Sequence, residues 1–360
     1  MADKLVRIYE LLDRHSLDAL LLRQVSNFAW ATNGSASYIN RGATNGAGSL
    51  LVTREAHYLL TSNIEFPRFE QEEGLLAQGW QPEINRWDQP GTALARLTAG
   101  LKLGADGPYP GAVDLSGELT ILRSYLDVDE QARFKQLSAT CGIAMAEAAR
   151  AVRPGMNEYQ IAGLLAQAVE SRGVRSQVLL IATDQRIFNF RHPLPTAKQL
   201  DKYAMLVLCG RQQGLVCSLT RLVHFGPLPA ELQRKADAVA QIDATMIAAT
   251  RPGSTVADIF RMTQETYARV GYADEWQLHH QGGPAAYDPR EFVATATVNV
   301  PVGVGQAYAW NPSITGTKSE DTILVGEQAN QVMSVSPGWP TIPVEIAGET
   351  IERPAILVLE

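Results

Sequence analysis

The side chains of this chain that stand out for chemistry lie on a strand-turn-strand pattern that occurs twice. The first copy reads Leu206-Val-Leu-Cys-Gly-Arg-Gln-Gln-Gly-Leu-Val-Cys-Ser-Leu-Thr-Arg221, the second Tyr308-Ala-Trp-Asn-Pro-Ser-Ile-Thr-Gly-Thr-Lys-Ser-Glu-Asp-Thr-Ile-Leu324. Each carries a glycine at its turn, Gly214 or Gly316, and four residues later a polar side chain, Ser218 or Glu320. Paired hairpins of this kind aim side chains from two halves of a sheet into one shared pocket. Strand alternation puts Lys318 on the face of Glu320, where its ammonium can meet a substrate carboxylate. Ser218 has no base partner visible in the sequence, which argues against a nucleophilic serine. Two histidine segments lie outside the hairpins, at Arg191-His192-Pro193 and His279-His280-Gln-Gly-Gly283. An imidazole both accepts and returns protons near neutral pH. Read alone, however, His192 is a capping residue ahead of Pro193 and His280 a structural histidine.

The elements that must position these residues change character near residues 126–130, which places a domain 1–126 ahead of a domain 127–360. In the first, Lys4–His15 reads as a helix leading into the apolar strand Asp18–Arg23. A loop Asn33–Ser49 follows, then strands Leu50–Thr53 and Ala56–Thr61, helices Phe66–Glu73 and Gly91–Leu101, and a strand Gly111–Asp114. That alternation predicts a small α/β domain. Its Gly42–Gly48 loop is no dinucleotide fingerprint, because no GxGxxG opens a helix after a strand there. The second domain opens with a helix, Asp129–Val152, stopped by Arg153-Pro-Gly155 and followed by a helix Asn157–Arg172. Arg251-Pro-Gly253 returns 98 residues later, ahead of a helix Thr255–Val270. Two helices around an RPG turn and then a hairpin, in the same order twice, predict a duplicated α+β domain with its pocket where the halves meet. The tail from Gly338 reads as two strands around Ala347-Gly-Glu.

Composition narrows the partners. The chain has 360 residues, a formal net charge of −7 and no Lys/Arg run, which argues against nucleic acid or an anionic membrane surface. No apolar stretch approaches the ~18 residues of a membrane helix. Three cysteines without metal-type spacing, Cys141, Cys209 and Cys217, and an N-terminal segment with acids and helical periodicity lead us to expect a cytoplasmic protein.

Motifs in order along nearly the whole chain make the architecture specific. They are Leu17-Asp-Ala-Leu-Leu-Leu, Asn27-Phe-Ala-Trp-Ala-Thr-Asn-Gly, Arg153-Pro-Gly-Met-Asn-Glu158, Arg191-His192-Pro193, Gly214-Leu-Val-Cys-Ser-Leu-Thr-Arg221, His280-Gln-Gly-Gly283 and Ser319-Glu-Asp-Thr-Ile-Leu-Val325. With them the chain resembles the methionine aminopeptidase, prolidase and creatinase family. The resemblance implies an α+β fold: a duplicated pita-bread C-terminal domain behind a smaller creatinase-like α/β N-terminal domain.

Carried over position by position, the resemblance puts the family's five metal ligands on Leu208, Ser218, His280, Asn311 and Glu320, with His279 fitting the register less well. One histidine and one carboxylate do not supply the anionic oxygens that a dinuclear centre needs. The expectation is therefore no metal and no other cofactor. Within the same family, creatinase implies a metal-free route in which a histidine at the position of His192 is acid and base. On that reading Glu320 orients His280 or holds a cationic nitrogen. Tyr287, at the place of a second family histidine, donates to an oxyanion. Lys318, Asn311 and Ser218 are substrate contacts, Arg221 pairs with Glu320 across the hairpins, and Asp288-Pro-Arg-Glu291 is a solvated turn. The expected activity is hydrolysis of a C–N bond in a small amidine or amide. Two alternatives stay open, an X-Pro dipeptidase-type metallopeptidase and a non-catalytic peptidase-like binding protein. The family also implies a homodimer, in which Arg41 of the glycine-rich loop reaches a neighbour's pocket.

Overall fold

The computed structural model describes residues 2–360. It divides into two compact units, residues up to Arg123 with the turn Gln213–Leu215, and Ser124–Gln212 with Val216–Glu360. No helix among the described residues is long and apolar enough to cross a membrane.

The first unit is built on a six-stranded sheet in the order Gln81–Asn85, His57–Ser62, Asn45–Thr53, Ala19–Gln24, Leu103–Ala105, Ala112–Asp114. Continuous apolar runs bury Leu20, Leu21, Leu22, Leu50, Leu51, Val52 and Leu59 completely, so the central strands are covered on both faces. The expected loop Asn33–Ser49 is shorter than the sequence indicated, because the strand already begins at Asn45, which pairs with Gln24 beyond a register shift. Glycine makes that extension possible: a Cβ on Gly48 would strike the ring of Phe69, and one on Gly46 the side chain of Ser37.

The second unit repeats itself. Its first half contains the helices Val128–Ala151 and Glu158–Glu170, its second half Ala230–Ala249 and Val256–Arg269. Both RPG turns end on a glycine in the left-handed region, Gly155 at φ +86° and Gly253 at φ +97°. Each following helix starts with a reciprocal capping box, Asn157 with Gln160 and Thr255 with Asp258. Both N-cap residues also form an isolated antiparallel bridge, to Gln199 and Pro301. The duplicated α+β order read from the sequence is therefore present in local geometry as well as in order.

Each half contributes a four-stranded sheet. One runs Leu357–Leu359, Leu215–Phe225, Tyr203–Gln212, Arg175–Thr183, the other Gly282–Pro284, Ala307–Trp310, Asp321–Leu324, Gln331–Val332. The two hairpins meet edge to edge. Ser218 donates its N–H to Thr322 Oγ1 and accepts from it through its carbonyl, both at 2.9 Å, while Thr220 N–H donates to the Glu320 carbonyl at 3.2 Å. Helices pack behind, burying Ile242, Val256, Ile259, Tyr267, Tyr308 and Trp310 against the second half. The polar ends of the hairpins therefore face a floor that cannot shift without opening an apolar core.

Candidate functional site

Three histidines from two distant segments converge on the second unit. His192 follows the short helix Gln185–Asn189, and His279 and His280 follow the 3-10 turn Glu275–Leu278. Arg191 ties the segments together, donating from Nη2 to Glu275 Oε2 at 2.7 Å and to Thr315 Oγ1 at 3.0 Å. Gln281 fixes the next step, donating to the His279 carbonyl at 2.6 Å while accepting from Tyr267 Oη at 2.9 Å. The two glycines that follow are required by close approach. A Cβ on Gly282, which has φ +102°, would collide with the Ala309 carbonyl, and one on Gly283 with that of Phe292.

The rings of His192 and His279 face each other with Nε2 to Nε2 at 3.0 Å, and one ring nitrogen from each of the three histidines lies within 4.8 Å of the others. His192 is exposed, His280 half-buried and His279 buried. Burial holds all three below the usual histidine range, His279 down to about 2 and His280 to about 4. The positive charges of Lys318 and Arg290 act in the same direction, against Glu320. The site therefore gathers neutral imidazoles at physiological pH.

Glu320 lies beside them, enclosed by cations. Its Oε1 meets Arg290 Nη2 at 2.8 Å, and its Oε2 meets Lys318 Nζ at 2.8 Å and accepts from Thr220 Oγ1 at 2.5 Å. Burial alone would raise this carboxyl, but Lys318 and Arg290, with the hydrogen bonds from Lys318 and Thr220, hold it far below the usual carboxylate range. Strand alternation placed Lys318 and Glu320 together, and they are in contact. Arg290 completes the group by donating from Nη1 to Ser218 Oγ at 3.0 Å.

Several site expectations need correcting. Glu320 makes no hydrogen bond to His280, because both its oxygens are taken by Arg290, Lys318 and Thr220. Tyr287 is fully buried and donates to Glu130 Oε1 at 2.6 Å, so its hydroxyl is not aimed at an oxyanion. Arg221 pairs with Asp321 Oδ1 at 2.9 Å rather than with the Glu320 carboxylate, and its other donors go to Ser336, Ser334 and backbone carbonyls. It is a buried strut, not a substrate contact. The 288–291 segment is not a solvated turn: Arg290 points inward, and Glu291 accepts the Tyr287 N–H at 2.8 Å. The hydroxyl of Ser218 is spent on Arg290 and on Cys209 Sγ, at 3.3 Å. Asn311 is buried with Oδ1 unpartnered, and Leu208 is buried beside Leu179. Arg41 lies on an exposed turn of the first unit.

Sequence reading set His279 aside as the poorer match to the ligand register and took Arg290 for part of a solvated turn. The doubled His279-His280 was the available signal for the first. Nothing local marked Arg290, whose partners lie 72 and 30 residues away.

An open groove of about 310 Å³ adjoins the histidines, lined by Phe260, Trp276, His279, His280, Val293 and Thr295. It suits a small ligand. A larger cavity, about 620 Å³ beside Arg221, Trp339 and Ile351, contains none of the three histidines, and its Arg221 and Asp321 are already paired. The histidine groove, lined by His279 and His280, is therefore the candidate site.

The depressed histidines predict a pH dependence of stability. Unfolded imidazoles take up protons below about pH 6.5, while folded His280 and His279 resist protonation down to about 4 and about 2. The unfolded state then binds more protons, so stability rises with pH across this window and falls on acidification, by at most about 1.4 kcal/mol per pH unit for each ring. Urea midpoints measured with a chelator present should fall from pH 7 to pH 5, and His279→Gln should remove a substantial part of that fall. An unchanged slope in the variant would contradict the burial argument.

Comparison with known proteins identifies the family and the fold. The family model described as metallopeptidase family M24 matches residues 132–353. An Xaa-Pro dipeptidase of Pyrococcus horikoshii is 20% identical over 92% of this chain and 96% of its own length. The match to an uncharacterized peptidase of Staphylococcus saprophyticus, 23% identical, covers 51% of this chain and 55% of that relative. Among solved structures, an Xaa-Pro dipeptidase from Bacillus anthracis superimposes with a TM-score of 0.80 over 99% of each chain at 18% identity. The N-terminal domain of FACT complex subunit SPT16 from Cicer arietinum superimposes with a TM-score of 0.70 over 93% of this chain and 95% of its own, at 10% identity. The pita-bread fold and the family resemblance expected from the motifs are thereby borne out.

Proposed function

This chain belongs to metallopeptidase family M24, and from that premise we propose that it is a hydrolase cleaving a C–N bond of a small amidine or amide without the dinuclear metal centre. The name of the family implies metal ions, and the residues at the matched positions do not fit a pair of them. Leu208 offers no donor atom, Ser218 is bonded to Arg290 and Cys209, and both oxygens of Glu320 are held by protein cations. The observation that carries the reading is the enclosure of Glu320 by Arg290 and Lys318. Two fixed positive charges outweigh the one remaining carboxylate of the set, and a divalent ion seeking its oxygens would have to displace both of them.

His192 is the acid and base of this proposal. Its ring is exposed beside the groove, and burial and Lys318 hold it unprotonated near pH 7. It can take a proton from water attacking the C–N carbon and return it to the leaving nitrogen, so proton count and charge close without an ion. Asn311 Oδ1, buried without a partner, supports a ligand rich in N–H donors. Lys318, buried and paired with Glu320, is the proposed contact for an anionic group of the substrate through its remaining donors. An X-Pro dipeptide is itself a small amide, so the dipeptidase relatives differ from this reading in their metal rather than in the bond cut. A homodimer belongs to the same proposal and is tested by mass in solution.

The test pairs metal analysis with a panel of small amidines, amides and X-Pro dipeptides. Turnover that survives exhaustive chelation supports the reading. Two bound ions per chain, with turnover lost on chelation, would replace it with the metallopeptidase, and no turnover on any substrate would favour a binding protein.

A further inference from the structure

The histidine cluster holds more than a proton-transfer pair needs. A hydrogen bond between His192 Nε2 and His279 Nε2 accounts for two of the rings but leaves His280 unexplained. The Nδ1 atoms of both His279 and His280 are buried with no hydrogen-bond partner among the described residues. A buried polar atom left unmade costs about 1–3 kcal/mol, so the unpartnered His280 Nδ1 beside the other two rings calls for a ligand. The three rings stand with centroids 4.5, 4.8 and 5.7 Å apart.

We propose that His192, His279 and His280 form a mononuclear site for a borderline divalent transition ion, Zn²⁺ foremost, separate from the ligand set on which the family's dinuclear centre depends. Imidazole is the donor that zinc, copper and nickel share, whereas Mg²⁺, Ca²⁺ and Mn²⁺ prefer carboxylate and carbonyl oxygens. A tetrahedral zinc with Zn–N bonds of about 2.0–2.1 Å sets its nitrogens roughly 3.3 Å apart. The pair at 3.0 Å lies near this spacing, and one ring nitrogen from each histidine falls within 4.8 Å of the others, a gap that rotation of the side chains closes. Three protein ligands leave a fourth position on the open side. Arg290 and Lys318 against Glu320 leave one net positive charge nearby, so that position favours an anion, hydroxide or a ligand carboxylate. Only His280 is shared with the positions matched to the dinuclear centre.

This inference does not rest on the proposed hydrolysis, and the two make opposed demands on His192. A ring nitrogen bound to the ion is unavailable for proton transfer, so Zn²⁺ suppresses a turnover that needs no metal, and chelation restores it. The test is titration of the chelated full chain with Zn²⁺ by calorimetry and with Co²⁺ by visible absorption. We expect one ion per chain, tetrahedral Co²⁺ bands, and weakening in His192→Ala and in His280→Ala by more than the 10–100-fold that loss of a supporting residue costs. The exposed position of His192 keeps its variant foldable, so the proposal stays open to refutation even if His280→Ala does not fold. Absence of stoichiometric binding overturns it, as does affinity unchanged in His192→Ala. If Zn²⁺ binds through these residues and accelerates turnover, the site stands and the metal-independent hydrolysis falls.

Discussion

Replacing Arg353 by leucine is expected to lower the unfolding free energy by about 3–5 kcal/mol, the range for removing one partner of a buried ion pair. Its guanidinium is wholly buried and bridges two carboxylates, meeting Asp243 Oδ2 through Nε at 2.8 Å and Asp321 Oδ2 through Nη2 at 2.7 Å. Asp321 is also held by Arg221 at 2.9 Å and Ser334 at 2.6 Å, but Asp243 retains only Ser319 Oγ, at 2.5 Å. Burial already raises the Asp243 carboxyl, with Arg353 opposing, so without Arg353 it must take up a proton or remain an unpaired buried charge. Exposed pairs such as Arg54–Asp13 serve as the comparison, because their loss is worth about 0–1 kcal/mol. Urea unfolding with an unchanged m-value measures the difference, and adding Asp243→Leu should restore part of it, since the double variant leaves no orphaned charge. A single-variant loss under about 1 kcal/mol would mean that the network is solvated. The effect bears on function through the chain itself: Ser319 and Asp321 flank Glu320, so this network is the floor beneath the candidate site.

How much of this was legible in the sequence depended on whether a signal was local. The RPG punctuation, the 98-residue recurrence and the glycine turns are short-range features, and each reappears in the coordinates as a positive-φ glycine or a capping box. The contact between Lys318 and Glu320 followed from strand alternation alone. Side-chain direction across long separations was not legible. Asp288-Pro-Arg-Glu291 has the composition of a solvated turn, yet Arg290 reaches Ser218 and Glu320, 72 and 30 residues away in the chain. Tyr287 was misassigned for the same reason. Its partner Glu130 is 157 residues away, on a helix whose capping box also occupies that carboxylate. His192 and His280 were expected in one site, but the direct approach of His279 to His192 was not legible, because the Arg191–Glu275 clamp that brings the segments together joins residues 84 apart.

Truncating His192 to alanine is expected to reduce kcat by about 10²–10⁴-fold on whichever small amide or amidine the wild type turns over, the usual contribution of a positioned acid–base group. His192 is an exposed residue whose ring meets His279 and His280 at the edge of the site, so the urea midpoint should stay near that of the wild type, which separates a chemical role from a structural one. The pH profile carries a second signature. Burial and Lys318 lower the His192 pKa, so the acidic limb of wild-type kcat/KM should lie below pH 6.5, and this limb should disappear in the variant. Added imidazole should recover part of the rate, because the missing group is a diffusible base and the groove beside His279 and His280 is open. His279→Gln makes a useful contrast. That ring is buried and faces His192 at 3.0 Å, so its loss should move the acidic limb without removing it. Retention of wild-type kcat in His192→Ala would take the proton-transfer role away from this residue. His280 would then be the only remaining imidazole of the cluster that is both accessible and outside that hydrogen-bonded pair.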